Sequence, residues 1–301
     1  MTSAPRSGLD EGAAPPPSVD LAALRRVTVV VVTHHSAHCV PTLATHLAAF
    51  PHVLVVDNAS DDQTPALVRQ ALPQAEVLKL KRNVGYGAAN NRGLDRVSTP
   101  YALLLNPDCV VDASAVSVLV ATADACPTAA IVAPQLVDDR GRLQVNYGWP
   151  RWRWASHGAG AHGLTGVGYA CAAAWLLRVD AHHWRFDESF FLYYEDEDLC
   201  ARVFKTGYQV LIQPEARAMH ANRGSVKGRS VVRAEWRRGY HHSRSKIRFL
   251  ARHVSRRTAL GVRRRALWSG GLELLLRLLT VQPRLIARSA GRWLGMWHAS
   301  P

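Results

Sequence analysis

The chain is poor in cysteine, and its few cysteines are not arranged for cross-linking. Cys39, Cys109, Cys126, Cys171 and Cys200 are odd in number, scattered, and never fall into a C-x-x-C pair. That excludes a disulfide framework and a zinc ribbon, and it suits a reducing cytoplasm. No run of 18 apolar residues occurs, so no ordinary membrane span is expected. The opening stretch "MTSAPRSGLDEGAAPPPSVDLAAL" lacks the apolar centre of a signal peptide and is rich in Ala, Pro, Gly and Ser. Residues 1–25 are therefore expected to form a disordered N-terminal segment. Acids are scarce at the other end: from Arg217 onward, 20 Lys and Arg face only Glu235 and Glu273. The net charge of +14 thus belongs to the tail, because the remainder holds 17 basic residues against 21 acids. A mildly acidic body with no recognised nucleic-acid motif argues against a nucleic-acid partner.

With 301 residues, 48% of them hydrophobic, the chain can bury a substantial core. "VTVVVVT" (27–33) is a continuous β-branched run of the kind that forms a buried parallel strand. Strands are also predicted over 52–57 ("HVLVVD"), 76–81 ("EVLKLK") and 101–106 ("YALLLN"), with helical stretches between and after them. This alternation predicts an open, mostly parallel α/β sheet flanked by helices, with ligands at the C-terminal strand ends. Polar clusters fall there: Thr33-His34-His35, Asp57-Asn58, Arg82-Asn83 and Asn106-Pro107-Asp108. Any one of these could be a cap or a turn; four in succession describe the rim of one site. Residues from about 135 to 165 mix Trp, Arg, His and Gly and are expected to be a long loop.

The segment "FDESFFLYYEDEDLCARVFKTGY" (186–208) puts Glu195, Asp196, Glu197 and Asp198 directly behind Phe190, Phe191, Leu192, Tyr193 and Tyr194. Adjacent acids repel, and aromatic neighbours suggest burial that raises carboxylate pKa values, an arrangement tolerated where the charge is used. A helix starting at Glu195 would place the acids in its first turn, where the helix dipole favours them, and would set Asp198 and Arg202 as an i,i+4 pair.

"VVVVTHHS", "VVDNASDD", "NVGYGAANNRG", "LLLNPDCVVD" and the acidic segment together resemble the ordered motifs of inverting family 2 glycosyltransferases, and are especially similar to the bacterial rhamnosyltransferase-like branch. The resemblance runs from about residue 27 to 220. It implies a GT-A (Rossmann-like) fold, a nucleotide diphosphate sugar donor, and Mg²⁺ or Mn²⁺. It also implies nucleotide-sugar contacts from Thr33, His34, Asp57, Asn58, Arg82, Asn83, Gly85, Asn90 and Asn106. Asp57 would accept a hydrogen bond from a pyrimidine; read alone, it and Asn58 equally shape a turn. The glycines of "NVGYG" permit close backbone approach before a helix N-terminus that favours an anion, although Asn90 replaces the third glycine of a dinucleotide fingerprint. Asp108 would be the metal carboxylate, with Asn106 in place of the first Asp of D-x-D, and His220 in "AMHANRGS" would approach the metal. Asp196 would be the base that deprotonates the acceptor hydroxyl, with Glu195 beside it and the aromatics walling the sugar pocket. His34 and His35 stand where the family has Tyr-Asn. "AAAWLLRVDAHHWRFDE" is shorter than the family's segment and lacks its glycine pair.

The expected organisation is a GT-A glycosyltransferase domain over 26–222 and a basic amphipathic helical tail over 223–301. Trp236, Tyr240, Ile247, Leu250 and Val254 are spaced helically, and Arg284, Arg288 and Arg292 follow at i,i+4 intervals. Basic residues mixed with Trp and Leu suit an interfacial helix on an anionic leaflet, the alternative being that the apolar faces pack on the body. The resemblance then implies transfer of L-rhamnose from dTDP-rhamnose to a glycan or polyprenyl-linked acceptor at the inner face of the cell membrane. A UDP-sugar hexosyltransferase and an inactive sugar-nucleotide-binding scaffold are the alternatives.

Overall fold

The computed structural model of the protein describes residues 18–148, 159–179, 183–221, 230–279 and 282–301. The N-terminal residues 1–17 and the part of the expected loop over 149–158 lie outside the described residues. Through the first half, helices and strands alternate: α1 (Leu21–Leu24), β1 (Val27–Thr33), α2 (Val40–Leu47), β2 (Val53–Asp57), α3 (Thr64–Ala71), β3 (Glu76–Lys79), α4 (Tyr86–Leu94), β4 (Tyr101–Leu105), β5 (Cys109–Val111), α5 (Ala113–Ala125) and β6 (Ala129–Val137). Four short strands follow, β7 (Leu143–Gln144), β8 (Tyr147–Gly148), β9 (Thr165–Val167) and β10 (Tyr169–Ala170), and then β11 (Ala174–Arg178), α6 (Glu195–Lys205) and β12 (Gln209–His220). Three helices end the chain: α7 (Val231–His253), α8 (Arg256–Leu278) and α9 (Pro283–Trp297).

All seven residues of β1 are buried because helices cover both faces of the sheet. Val29 and Val31 enter one core with Leu43 and Leu47 of α2 and Leu119 of α5. Val30 and Val32 enter the other, with Leu94 of α4 and Leu199 and Val203 of α6. The main sheet runs β3-β2-β1-β4-β11-β6-β12-β5. Its first four strands are parallel, as expected. Beyond them β11 is antiparallel to both β4 and β6, and β5 is antiparallel to β12. The half carrying β1 to β4 thus ends all its strands on one rim, and the reversals build the rest of the site around that rim.

Two expectations need correction. Disorder does not extend to residue 25: Asp20 caps α1 through the Ala22 and Ala23 amides, Leu24 is buried, and the Asp20 amide bonds Ser117 of α5 at 3.0 Å. The stretch read as weakly patterned begins inside a buried strand, β6, which Pro134 had disguised. A register shift in β12 between Gln213 and Arg217, opposite Pro134 and Gln135, accommodates it.

In the tail, α7 and α9 cross closely because glycines remove the side chains between them. A Cβ on Gly291 would lie 2.2 Å from the Trp236 carbonyl oxygen, and one on Gly295 would lie 2.3 Å from that of Tyr240. Ile247 and Leu250 of α7, Ala259 of α8 and Met296 of α9 form a separate small core. Among the described residues, no helix is long and apolar enough to cross a membrane.

Candidate active site

The parallel register sets Thr33 beside Asp57 at the strand ends. Both are fully buried: Thr33 Oγ1 donates to Asp57 Oδ1 at 3.3 Å, and the Ser60 amide donates to Asp57 Oδ2 at 3.1 Å. In this state both Asp57 oxygens shape the turn after β2. Beside it, the His34 and His35 rings lie 4.0 Å apart, and His35 (φ 55°) and Ala59 (φ 62°) are left-handed. Burial, aided by the charges of His35 and of Arg237 on α7, pulls the His34 imidazole below its ordinary pKa.

Asn58 ties this turn to the one after β3. Its amide donates to Asn83 Oδ1 at 3.1 Å and to the Gly85 carbonyl at 3.2 Å, and its Oδ1 accepts the Val84 amide at 2.9 Å. Gly85 has φ 95° and lies so close to the loop before α6 that a Cβ would sit 2.3 Å from the Phe191 carbonyl oxygen. The Tyr86 amide donates to that same oxygen at 3.1 Å. Two residues named with this cluster stand apart from its hydrogen-bond network. Asn90 is buried and turns its amide back onto the Tyr86 carbonyl of its own helix at 3.0 Å, and Arg82 lies exposed on the loop.

After β4 the chain turns sharply, with the Cys109 amide donating to the Asn106 carbonyl at 3.0 Å. The turn delivers Asp108 to the start of β5, whose antiparallel pairing puts His220 opposite Cys109. Asp108 Oδ1 and His220 Nε2 stand 3.8 Å apart, both side chains nearly buried. Burial lowers the His220 pKa against the pull of Asp108, favouring the neutral ring that can ligate a metal. His220 Nδ1 is buried without a hydrogen-bond partner. A hard carboxylate and a neutral imidazole at this separation fit a divalent cation that keeps waters and substrate oxygens in its shell. Among the described residues no third His, Cys, Asp or Glu joins them.

The acids open α6 as expected. Two successive left-handed residues, Tyr193 (φ 69°) and Tyr194 (φ 68°), swing the chain into it. Asp196 is half-buried: its Oδ1 accepts the Glu197 amide at 2.9 Å, and its Oδ2 lies 3.4 Å from the Ala172 amide and 3.5 Å from Tyr169 Oη. Burial raises its pKa against those donors. Glu195 is buried with Oε2 unpartnered, so burial first, and then the charge of Asp196, push it far above the carboxylate range. Glu197 is pushed up to about 8 by burial and by Asp196. Asp198 differs from all three. Burial would raise it, but hydrogen bonds from His253 Nε2 at 2.7 Å and Arg202 Nε at 2.8 Å hold it below the ordinary value.

The aromatics seat α7. Phe191 stacks on His241 at 4.4 Å, and the rings of Tyr193 and Tyr194 meet His242 at 5.6 and 5.4 Å. Burial in this seat pushes both histidines down to about 4. Ser245 Oγ donates to the Leu192 carbonyl at 3.0 Å, and Arg252 pairs with Asp187. Sequence reasoning missed these α7 residues and also Tyr169, Ala172 and Tyr86, whose Oη donates to the Ala172 carbonyl at 2.8 Å. The adjacent histidines of α7 were the one visible signal. Two- and three-residue strands leave no periodic trace.

The pieces converge on residues 171–173. The Asn106 amide donates to the Ala173 carbonyl at 2.9 Å, while the neighbouring Ala172 amide faces Asp196. The turn carrying Asp108 and the base candidate therefore flank one short segment.

Comparison with known proteins bears on the family and the fold. Residues 28–186 match the Glycosyl transferase family 2 domain. An N-acetylglucosaminyl-diphospho-decaprenol L-rhamnosyltransferase of Mycobacterium tuberculosis is 27% identical over 201 residues, 56% of this chain and 66% of its own length. The match therefore spans slightly less than two thirds of that relative. S. aureus TarS, solved with UDP-GlcNAc, is 17% identical with a TM-score of 0.55, over 76% of this chain and 67% of that one. A mannosyltransferase of Pyrobaculum calidifontis, solved with GDP-Man and Mn²⁺, is 15% identical with a TM-score of 0.53, over 93% and 88%. At such identities these structures speak for the fold alone.

Proposed function

Because the chain belongs to glycosyl transferase family 2 and folds as a GT-A domain with C-terminal helices, we propose that it moves a sugar from a nucleotide diphosphate donor to an acceptor hydroxyl with inversion. The observation that carries this reading is Asp196: a half-buried carboxylate at a helix N-terminus, held by two amides and facing the segment that also anchors the Asp108 turn. Its raised pKa suits it to take a proton from a hydroxyl, and the neutral Glu195 beside it adds no second charge to repel the base. Inversion requires that base on the face of the sugar opposite the leaving nucleotide. The nucleotide then lies along the ends of β1 and β2, where the Asn58 network fixes the turns and the His rings offer a surface for a base. Asp57 reaches a pyrimidine only through the lone pairs that Thr33 and Ser60 leave. Asp108 and His220 would hold Mg²⁺ or Mn²⁺, which when bound supplies positive charge against the departing diphosphate. The mycobacterial relative motivates the finer assignment: L-rhamnose from dTDP-rhamnose, delivered to a polyprenyl-linked glycan.

The test is a thermal-shift screen of dTDP-rhamnose, UDP-glucose, UDP-galactose and GDP-mannose, each with and without Mn²⁺, because a ligand of the native state raises its apparent stability. A metal-dependent shift with dTDP-rhamnose is expected. Asp196→Asn should keep that shift and lose turnover by about 10²-fold or more, read by product formation on a lipid-linked acceptor. A shift without turnover in the parent chain would leave a sugar-nucleotide-binding scaffold, and a shift with a UDP-sugar alone would make it a different hexosyltransferase.

A further inference from the structure

The tail divides into a part that packs on the body and a part that does not. Helix α7 is seated on the 187–198 segment, and α9 crosses α7 through its glycines. Helix α8 turns its inner side to them: Ala259 is fully buried, and Trp293 covers Gly270 and Gly271. Its outer side is one continuous exposed stripe at helical spacing, and the stripe has two halves. The N-terminal half carries Arg256, Arg257, Arg264 and Arg265. The C-terminal half carries Trp268, Leu272, Leu275 and Leu276, continued by Leu279 at the C-cap, all exposed between 56% and 86%. Its length is about 16 Å. The one acid of the helix, Glu273, is turned to Ser289 of α9, which donates to it at 3.1 Å.

We propose that this face of α8 docks the protein on an anionic lipid surface, with the leucines and Trp268 entering the acyl boundary and the arginines on the phosphates. Five large apolar side chains this exposed on one face mark an interaction surface rather than scattered surface residues. The pairing of halves selects the partner. A second copy laid parallel sets arginine against arginine, and laid antiparallel it buries arginine against leucine. Nucleic acid would satisfy the arginines and leave the leucines in water. A bilayer with anionic headgroups satisfies both halves at once. The inference concerns this surface alone and does not depend on which sugar, if any, the site transfers.

The experiment is co-sedimentation of the full chain with vesicles of phosphatidylcholine, with and without the anionic lipid phosphatidylglycerol. Binding to the anionic vesicles only, weakening with salt, is expected. Leu272→Glu with Leu275→Glu should weaken it about tenfold or more, with the melting temperature and the donor thermal shift unchanged because both side chains are exposed. Trp268→Phe should remove quenching by brominated lipid. Absence of binding overturns the proposal, as does binding that ignores the double substitution. A concentration-dependent dimer in solution, abolished by Leu275→Glu, would reassign the face to self-association, and salt-sensitive DNA binding in place of vesicle binding would reassign it to nucleic acid.

Discussion

A carboxyl enclosed by protein, with no donor for one of its oxygens, keeps its proton, and Glu195 is in that position. Asp196 and Glu197 share the upward shift. In a pH range where the unfolded chain has lost these protons, the folded chain retains them, so stability falls as pH rises from the ordinary carboxylate range, through about 8 for Glu197. Asp198 acts the other way: its folded pKa is lowered, so its contribution is complete above the unfolded value and is lost as pH falls. Glu195→Gln keeps the shape and removes the titration. It should raise the melting temperature at pH 8 by about 2–4 °C, the equivalent of roughly 1 kcal/mol, with the gap closing by pH 4. A gap that is constant with pH would mean that Glu195 ionises as readily in the folded chain as in the unfolded one. Only part of this was legible. The letters E-D-E-D announce four crowded acids and the Arg202 partner of Asp198, but not His253, which folds back onto Asp198 from 55 positions later and helps make it an ion.

At the scale of elements, continuous apolar runs, β-branched throughout in β1, made β1, β2 and β4 readable, because a strand covered on both faces has no polar side to interrupt its pattern. The direction of β11 was not readable, since "AWLLR" serves a parallel or an antiparallel strand equally well. The glycines of "NVGYG" were placed at a phosphate-type turn by their letters, yet the constraint on Gly85 comes from across the molecule. Its φ of 95° and the Phe191 carbonyl each exclude a side chain. Gly85→Ala should therefore cost about 3 kcal/mol or more, combining backbone strain with a displaced carbonyl. Because the loop behind that carbonyl leads into α6, transfer should fall even at temperatures where the variant is folded. Denaturant unfolding and a single-temperature rate together check this, and full activity in a destabilised variant would uncouple the turn from the base.

For the whole molecule, the decisive contact is the fully buried Asp198, which receives Arg202 from its own helix and His253 and Arg252 from the end of α7. Asp198→Asn leaves the positive partners facing a neutral amide, and breaking one partner of a buried pair of this kind costs about 3–5 kcal/mol. The loss should be local first. Hydrogen exchange should quicken in the last turns of α7 and in α6 before it does in β1 or β4, whereas uniform quickening would show a single cooperative unit. The basic composition of the tail suggested one amphipathic element lying on a surface. Folded, it is a three-helix assembly in which α7 belongs to the site and α8 carries most of the exposed large apolar side chains of the three helices, a division set by glycine spacing that hydropathy does not register.

That attachment of α7 decides where the chain can be recombined with its relatives. A cut after His220, where the sheet ends, would carry away the helix that seats the aromatic loop and neutralises Asp198. A cut at Val254–Ser255, where Ser255 caps α8 by accepting the Thr258 amide at 3.0 Å, keeps α7 on the site but strips it of α9, whose Gly291 and Gly295 close on the Trp236 and Tyr240 carbonyls. Chimeras that take α7, α8 and α9 from one parent should keep their melting temperature, whereas a junction at Val254 should lower it.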